Sequence, residues 1–479
     1  MPQSELNPAS SKLRIFTDKH LGQIPQLKRL RADERRAIET VATVLPFRVN
    51  QYVLDELIDW DDPRTDPIFR LVFPQREMLS ETEFNQIRGL LDTHAPRDEL
   101  ERAVAEIRTG LNPHPGGQRE LNVPTLDNQR VDGIQHKYEQ TLLFFPSPGQ
   151  TCHTYCTYCF RWAQFVGDSE LRFASNEAEN LKRYIMAHPD LTDVLITGGD
   201  PMVMKARVLE RFITPLLDIP HLQTIRIGTK SLAWWPHRFV SDSDSDELLR
   251  LFERIRKSGK HFALMAHSSH PRELETPMAE AAIKRLVSSG TTIRCQAPLI
   301  RGVNDDASTW ATLWKRQVQL GAIPYYMFVE RDTGPRNYFE VPLARALNVF
   351  NAAYRSVTGL ARTVRGPSMS CTPGKVVLDG VATVAGEKVF VLKFIQGRDS
   401  SWAGQVFFAR YDPHATWLSD LTPAFGEEHF FFESPNQSPA HKQLSQLWAQ
   451  RTRNQSPRAS IDTPAIQSLT NKKRLAVVD

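Results

Sequence analysis

Three cysteines lie within eight residues of one another in a chain that is otherwise poor in cysteine. Cys152, Cys156 and Cys159 form the pattern Cys-x3-Cys-x2-Cys, and the 479 residues include only two others, Cys295 and Cys371. An odd and sparse set of cysteines argues against a disulfide framework. Thiolates are ligands for soft metal ions and iron–sulfur clusters, so the spacing predicts a metal or cluster site.

Two kinds of site fit the three cysteines. Three thiolates on one tight loop can bind three irons of a cubane [4Fe-4S] cluster, which leaves the fourth iron open to a small molecule. Alternatively, the three cysteines and His153 could hold a structural zinc ion. The loop directly follows a predicted strand, and no second pair of zinc ligands lies nearby. This placement favours the cluster.

A glycine-rich turn, TGGDP at 197–201, follows the next predicted strand. Gly198 and Gly199 would let the backbone approach a ligand closely. Asp200 could accept hydrogen bonds from an ammonium group. Taken alone, such a turn is also an ordinary connection from a strand to a helix. Its position one βα unit after the cysteines favours a role in binding.

Alternating strands and helices are expected to position both motifs. Strands are predicted at 141–145, 193–197, 224–228, 261–266, 291–300 and 323–329. Helices are predicted at 176–188, 203–217, 246–257, 277–289, 307–319 and 342–355. Such alternation, without a dinucleotide-type glycine fingerprint, predicts an α/β fold with a full or partial barrel. The chemistry of such barrels lies at the C-terminal ends of the strands.

Changes in residue composition and in the predicted secondary structure divide the chain into four predicted parts. Residues 1–130 read as a helical N-terminal region, with a helix breaker at 112–117, and residues 131–375 read as the barrel. Residues 376–434 read as a small C-terminal appendage that contains β-strands, with a hairpin around Gly386. Residues 435–479 are rich in Ser, Pro, Gln, Asn and Lys, which predicts a mobile tail.

Composition and charge exclude several classes of protein. The 59 basic and 55 acidic residues give a net charge of +4. This nearly balanced charge does not indicate binding to nucleic acid or to an anionic membrane. No apolar run reaches the roughly 18 residues that a membrane span needs. The N-terminus lacks the apolar core of a signal peptide. We therefore expect a soluble cytoplasmic protein.

The cysteine pattern and the TGGDP turn resemble the radical S-adenosylmethionine superfamily, in which an aromatic residue precedes the last cysteine, here Tyr158. The resemblance implies that S-adenosylmethionine chelates the open iron and that Tyr158 lies against its adenine. It implies that Gly198, Gly199 and Asp200 hold the methionine amino group. An electron from a flavodoxin- or ferredoxin-type reductant would then release a 5′-deoxyadenosyl radical, which removes a hydrogen from the substrate.

Further motifs in the same order resemble one branch, the lysine 2,3-aminomutase family. They are FR at 160–161, RIGTK at 226–230, AHSSHP at 266–271, LIRGVND at 299–305, PYYMF at 324–328 and PGK at 373–375. The resemblance implies a partial (β/α)6-type radical SAM barrel and an isomerase that also uses pyridoxal 5′-phosphate. Its substrate would be an amino acid, free or protein-linked, whose amino group moves from Cα to Cβ, and the enzyme would be a homo-oligomer.

The resemblance also implies a site for pyridoxal phosphate. Lys375, in the sequence SMSCTPGK, would form the covalent link to the cofactor, and Lys137 and Tyr138 would contact it. Small and hydroxyl-bearing residues before Lys375 could donate hydrogen bonds to a phosphate. Thr141 stands where the family has a further arginine, so one expected phosphate contact is missing. From spacing alone, Lys375 could equally be a surface lysine after a Pro-Gly turn.

Three more residues take roles from the resemblance. Arg161 would pair with the α-carboxylate of the substrate, because a guanidinium can bind a carboxylate through two parallel hydrogen bonds. Gln296 and His267 match positions near S-adenosylmethionine. The alternatives are a surface arginine at 161 and satisfied polar core residues at 267 and 296.

The sequence departs from the family where the substrate's side chain would bind. Lysine 2,3-aminomutases hold the ε-ammonium of lysine with two aspartates. Arg331 occupies the first position, unless a slip of one residue offers Asp332, and Ser368 occupies the second. A buried ammonium needs a partner charge. Lysine is therefore a doubtful substrate, and a cation at 331 would suit an acidic side chain.

Three functions remain open from the sequence. The first is an aminomutase that uses S-adenosylmethionine, a [4Fe-4S] cluster and pyridoxal phosphate. The second is a radical enzyme that lacks pyridoxal phosphate and acts on another substrate. The third is a non-enzymatic iron–sulfur or zinc protein built on the same barrel. Of the three, the first alone needs Lys375.

Overall fold

The computed structural model describes residues 12–112, 122–166 and 173–433. The strands are β1 Ile15–Thr17, β2 Arg48–Asn50, β3 Thr125–Leu126, β4 Gln129–Arg130, β5 Ile134–Tyr138, β6 Thr141–Phe144, β7 Asp193–Ile196, β8 Thr224–Thr229, β9 His261–His267, β10 Thr292–Leu299, β11 Ile323–Val329, β12 Arg365–Ser370, β13 Gly374–Val384, β14 Glu387–Gly397 and β15 Val406–Arg410. The α-helices are α1 Ala32–Val44, α2 Pro67–Val72, α3 Glu81–Asp92, α4 Arg97–Leu111, α5 Ala178–Met186, α6 Ala206–Ile213, α7 Ser231–Trp234, α8 Ser245–Lys257, α9 Pro277–Ser288, α10 Ala307–Gln319, α11 Arg336–Phe339 and α12 Leu343–Arg355. The predicted tail at 435–479 and most of the predicted breaker at 112–117 lie outside the described residues.

Strands β5 to β15 form one sheet in which the spatial order of the strands follows their order in the sequence. Neighbouring strands from β6 to β12 pair in parallel. The β5–β6 pair and the pairs from β12 to β15 are antiparallel. Within the described residues β5 and β15 are not paired with each other, so the sheet is open. The predicted α/β fold with a partial barrel is confirmed.

The barrel strands and helices form in the segments whose hydrophobic periodicity is clearest. The six predicted strands and the helices that connect them are found with ends displaced by a few residues. In β8, buried and half-buried residues alternate strictly, which is the period of a strand with one face in the core. The helices bury one apolar face each, as α6 does with Leu209, Phe212 and Ile213.

Strand β12 was not predicted, because Gly366, Pro367 and Ser368 are poor strand formers. It forms between β11 and β13, where backbone pairing on both sides compensates for weak local preference. Its partner β13 continues into β14 through a turn at Ala385 and Gly386, whose φ values of 49° and 85° suit a two-residue hairpin. The predicted hairpin around Gly386 is thus present, and it extends the barrel sheet.

Two hydrophobic cores lie in the described part of the chain. The first core fills the space between the barrel strands and their helices. The second core joins apolar residues of the N-terminal region to Tyr158 and Trp162, which lie in and just after the cysteine loop. The N-terminal helices therefore pack directly against that loop.

Backbone contacts divide the chain into one unit at Met1–Phe432 and a second at Glu433–Asp479. The four-part division made from the sequence stays a prediction. Within the described residues, no helix combines the length and apolar character that crossing a membrane requires.

Candidate active site

The cysteine loop follows β6, and residues from the N-terminal region hold it in place. The buried Asn50 side chain donates to Thr154 Oγ1 at 3.0 Å and to the carbonyl oxygen of Trp234 at 2.8 Å. The Thr157 N–H donates to the Leu71 carbonyl oxygen at 2.9 Å. These hydrogen bonds join residues that are 86 to 184 positions apart in sequence, which local sequence patterns do not reveal.

The three thiols share a poorly hydrated environment. Cys152, Cys156 and Cys159 are half-buried, and Trp234 Nε1 donates to Cys156 Sγ at 3.3 Å. Burial, followed by the charges of Asp200 and the other two thiols, raises the pKa of Cys152 well above its usual value. Burial also raises the pKa of Cys159 to about 12. The thiols are therefore close enough to influence one another's ionisation.

These residues fit an iron–sulfur cluster better than a single ion. In the described part of the chain, no three His, Cys, Asp or Glu side chains form a group that could hold one metal ion. A cubane is larger, since each thiolate binds a different iron. His153, the fourth ligand in the zinc alternative, does not form such a group with the cysteines, and its Nδ1 is hydrogen-bonded to Ser231 Oγ at 2.9 Å. Burial lowers the pKa of His153 to about 3.

The TGGDP turn packs against the backbone of the cysteine loop. The Gly199 N–H donates to the Gly149 carbonyl oxygen at 3.0 Å, and the Asp200 N–H donates to the Thr151 carbonyl oxygen at 2.7 Å. A Cβ atom at Gly199 would lie 2.4 Å from that Thr151 oxygen. Glycine is therefore required here for a close approach between two loops.

We expect Gly199→Ala to lose most of its cluster and to be destabilised by about 3 kcal/mol, because the methyl group must displace the loop backbone. Gly89→Ala is the matched control: Gly89 is exposed in α3 with no atom within 4 Å of its added Cβ. That change should stabilise the chain by up to about 1 kcal/mol. Iron content and thermal unfolding check both. Equal iron in the two variants would contradict the packing argument.

The Asp200 carboxylate is hydrogen-bonded to four donor groups of the chain itself. Its carboxylate accepts hydrogen bonds from the Met202 N–H, the Thr229 hydroxyl, the Lys230 N–H and the Ser231 hydroxyl, at 2.7–3.0 Å. Burial raises the Asp200 pKa, although these bonds act in the opposite direction. The carboxylate thus fixes the turn, and its contact with a methionine ammonium stays a prediction.

The remaining residues assigned to S-adenosylmethionine lie on the same side of the barrel. His267 and Gln296 are register partners on β9 and β10, and the Gln296 amide donates to His267 Nε2 at 2.8 Å. Burial, and then the charge of Lys230, lowers the His267 pKa to about 3, so the ring is neutral. The Tyr158 hydroxyl is hydrogen-bonded to Ser269 Oγ at 3.0 Å. Their contacts with the cofactor stay predictions.

A buried ion pair beside the cysteines was missed in the sequence. Lys230 Nζ donates to Glu273 Oε1 at 2.7 Å and lies 4.4 Å from the centroid of a Trp234 ring. Its charge lowers the pKa of Cys156, against the larger effect of burial, which raises that pKa. Lys230 ends the RIGTK motif and Glu273 follows AHSSHP by two residues. Both residues thus lie in or near recognised motifs, but the sequence does not indicate that they form an ion pair.

Lys375 is the second residue of β13, and its amine lies over aromatic rings. The distance from Lys375 Nζ to the Tyr326 ring centroid is 4.4 Å. Burial, followed by the charges of Arg226 and Arg365, lowers the Lys375 pKa to about 7, with Asp193 acting in the opposite direction. Near neutral pH, a large fraction of this amine is therefore uncharged and able to attack an aldehyde.

We expect the rate at which Lys375 captures pyridoxal phosphate to rise with pH and to level off above about pH 7, because only the neutral amine attacks. Arg226→Met removes one cation and leaves the Asp193 carboxylate, which raises the lysine pKa and moves the profile to higher pH. The double variant Asp193→Asn/Arg226→Met removes both charges and should largely restore the profile. Rapid-mixing absorbance measures the rates. A wild-type midpoint near the ordinary lysine value of 10.5 would contradict this prediction.

A group of cations surrounds the turn between β12 and β13, which directly precedes Lys375. Lys137 Nζ donates to the Cys371 carbonyl oxygen. Burial, followed by the charge of Arg398 and then of Arg331 among others, lowers the Lys137 pKa well below its usual value. The Tyr138 hydroxyl is buried and has no hydrogen-bond partner among the described residues. Several cations and an unpaired hydroxyl fit a phosphate group.

The role of Arg398 was not predicted from the sequence, because this residue directly follows β14 and lies outside every motif. Arg398 Nε donates to the Thr372 carbonyl oxygen at 2.9 Å, which places it at the turn. Thr141 instead donates to Asp193 at 3.0 Å, and Asp193 accepts from Arg226 Nε at 2.8 Å. Arg398 and Arg226 thus supply cations in place of the arginine that the family has where this chain has Thr141.

Arg161 is buried, so the alternative of a surface arginine is wrong. Its Nη2 donates to Gln150 Oε1 at 3.2 Å, and its Cζ lies 4.4 Å from the Phe145 ring centroid. Arg161 Nη1 is buried without a hydrogen-bond partner among the described residues. A carboxylate would supply the missing acceptor, which is consistent with its predicted role.

No family model matches the chain. A protein of Aquifex aeolicus (strain VF5), provisionally named an L-lysine 2,3-aminomutase, is 32% identical over 418 residues, which are 87% of this chain and 97% of that protein. The chain belongs to the lysine 2,3-aminomutase family. The family predicted from the cysteine pattern and the ordered motifs is thereby confirmed.

Other members of the family show the same relationship. The L-lysine 2,3-aminomutase of Haemophilus influenzae is 28% identical over 354 residues, covering 71% of this chain and 88% of that protein. The Escherichia coli (strain K12) enzyme is 29% identical over 296 residues, covering 59% and 79%. Lysine 2,3-aminomutases are radical S-adenosylmethionine isomerases, so this chain is an isomerase whose family implies a [4Fe-4S] cluster.

One solved structure is similar at a lower level. Streptococcus suis SuiB bound to S-adenosylmethionine matches with a TM-score of 0.33 and 12% identity, over 57% of this chain and 56% of that chain. So weak a match adds nothing to the assignment of fold or function, which rests on the strand order and on the relatives above.

Proposed function

We propose that this aminomutase moves an amino group from Cα to Cβ of an amino acid, using a [4Fe-4S] cluster, S-adenosylmethionine and pyridoxal phosphate. The supporting observation is that Arg331 joins the two halves of the site. Its Cζ lies 5.1 Å from the ring centroid of Phe160, the residue after Cys159. Its charge also lowers the pKa of Lys137, beside the hairpin that carries Lys375. The cysteine loop and Lys375 therefore face a common region.

When bound, S-adenosylmethionine supplies the radical that removes hydrogen, and pyridoxal phosphate supplies a conjugated ring that stabilises the unpaired electron during migration. The chain's own residues hold and orient these groups. Lys375 holds the cofactor aldehyde, and Lys137 and Arg398 hold its phosphate. Arg161 fixes the α-carboxylate, which sets the Cα and Cβ positions relative to both cofactors.

The partners follow from the same chemistry. The substrate is a free amino acid, since Arg161 recognises an α-carboxylate that a peptide bond would remove. A flavodoxin- or ferredoxin-type protein supplies the electron. A homo-oligomer is the proposed assembly, as implied by the family.

The experiment is anaerobic reconstitution of the full chain with iron and sulfide, followed by reductant, S-adenosylmethionine, pyridoxal phosphate and the common L-amino acids. Mass spectrometry follows 5′-deoxyadenosine and β-amino acids. A β-amino acid product supports the proposal and names the substrate. Deoxyadenosine without a β-amino acid, across all amino acids, would indicate a radical enzyme with another substrate. Neither product from protein with an intact cluster would indicate a non-enzymatic protein.

A further inference from the structure

Arg331 is a half-buried cation that forms no ion pair with a carboxylate of the described residues. It follows β11, and its guanidinium lies between two aromatic rings, with Cζ 5.1 Å from the Phe160 centroid and 6.0 Å from the Trp417 centroid. Arg331 Nε is buried and has no hydrogen-bond partner among the described residues. No carboxylate of the described residues lies within 4.0 Å of its nitrogens. Aromatic faces favour a cation but leave its hydrogen-bond donors unused.

The charges around Arg331 increase the need for an anion. Lys137 and Arg398 belong to the same group of cations, because both Arg331 and Arg398 depress the Lys137 pKa. The acidic neighbour Glu330 is buried, and its pKa is raised to about 8 by that burial, so it is largely protonated at neutral pH. Removing part of a charged group from water is unfavourable unless an opposite charge compensates for it. An anionic group of a ligand would offset that cost.

A second unsatisfied group lies on the neighbouring strand. Ser368 is fully buried on β12, its Oγ has no hydrogen-bond partner among the described residues, and it pairs in register with Phe328 of β11. Arg331 follows Phe328 by three residues. The cation and the hydroxyl donor thus come from the same end of two adjacent parallel strands. These are the positions where a lysine substrate would need carboxylates.

Two anions could meet Arg331: the phosphate of pyridoxal phosphate or a carboxylate of the substrate. Lys137 and Arg398 already lie at the hairpin turn, where Arg398 donates to Thr372. Arg331 instead reaches Phe160, which precedes Arg161 on the cysteine loop. Its guanidinium thus lies between the cysteine loop and the cations at the turn, within reach of a substrate group held by Arg161.

We propose that the substrate carries a carboxylate in its side chain, bound by Arg331 and supported by the Ser368 hydroxyl. The substrate class is the acidic α-amino acids, of which L-glutamate and L-aspartate are the available probes. A guanidinium binds a carboxylate through two parallel hydrogen bonds, and this geometry rejects both an amide and an ammonium. This inference rests on the proposed aminomutase function.

The test measures kcat/KM for β-amino acid formation from L-glutamate, L-aspartate, L-glutamine and L-lysine with the reconstituted full chain. We expect the better acidic substrate to exceed glutamine and lysine by about 100-fold or more, because a site built for one polar group rejects analogues that lack it. The amino-acid-dependent change in the visible spectrum of the bound cofactor reports binding independently of turnover.

Variants distinguish the two anions. Arg331→Met should raise KM for the acidic substrate by about 100-fold and leave pyridoxal phosphate content unchanged. Arg331→Lys should recover part of that loss, and Arg331→Asp should shift preference towards lysine. Arg345→Met is the control, since Arg345 is exposed and pairs with Asp305. It should leave all values unchanged.

Several results would overturn the inference. Loss of pyridoxal phosphate from Arg331→Met would assign this residue to the phosphate. A wild-type preference for lysine or glutamine, with a β-amino acid formed, would overturn the inference and leave the proposed function intact. No β-amino acid from any of the common amino acids would overturn the proposed function, and the inference with it.

Discussion

Cys156→Ala is expected to lose its cluster and to reduce 5′-deoxyadenosine formation by more than about 100-fold, because even outer partners of a metal site typically contribute 10- to 100-fold. The thiol lies on the loop that N-terminal hydrogen bonds hold rigid, and the Trp234 indole donates to it at 3.3 Å. Iron and sulfide analysis after anaerobic reconstitution, together with mass spectrometry of deoxyadenosine, measures the effect.

Cys295→Ala is the matched control for this change. Cys295 is buried on β10 in the barrel core, away from the cysteine loop, and burial raises its thiol pKa to about 12. Losing its sulfur should leave a small cavity and cost about 1 kcal/mol, with iron content unchanged. If Cys156→Ala and Cys295→Ala retained the same iron, the three-cysteine site would be refuted.

The second large effect is expected for Lys375→Ala. Without an amine over the Tyr326 ring, the chain cannot form its covalent link to pyridoxal phosphate, and β-amino acid formation should fall by more than about 100-fold. Iron content should stay at the wild-type level, because Lys375 lies on the hairpin side of the site. Visible absorbance of the bound cofactor and product analysis measure the two effects separately.

Lys393→Ala controls for the loss of a lysine from the same hairpin. Lys393 lies on β14 and pairs with Asp379 at 2.6 Å, with both side chains 38% exposed. Such a surface pair contributes at most about 1 kcal/mol. Its loss should leave both cofactor absorbance and product unchanged. Full activity in Lys375→Ala would favour an enzyme that works without pyridoxal phosphate.

The structure shows what the N-terminal region contacts. The sequence predicted a helical region at 1–130, but it did not show what the buried faces of the helices contact. The second hydrophobic core joins them to Tyr158 and Trp162, and Asn50 donates to the cysteine loop at Thr154. The region therefore packs against the cysteine loop and is hydrogen-bonded to it.

Sequence reasoning was most successful where the deciding physics is local. Side-chain periodicity over five to fifteen residues placed the six predicted barrel strands and their helices, because alternation and helical spacing depend on near neighbours. The spacing of Cys152, Cys156 and Cys159 located the triplet for the same reason. The ordered motifs then identified the family, which a relative at 32% identity confirms.

Only the tertiary structure could decide which polar groups are satisfied. Asp200 is saturated by donors from 229–231, Lys230 is paired with Glu273, and Arg398 reaches a turn some 26 residues earlier in the chain. Strand β12 likewise depends on partners on both sides rather than on its own sequence. Hydrogen bonds and charges between distant segments have no signature in local periodicity. The sequence by itself therefore determined the elements, the cysteine loop and the family. The fold decided that Arg331 Nε and Ser368 Oγ are buried without hydrogen-bond partners among the described residues, because burial and pairing exist only once distant strands meet.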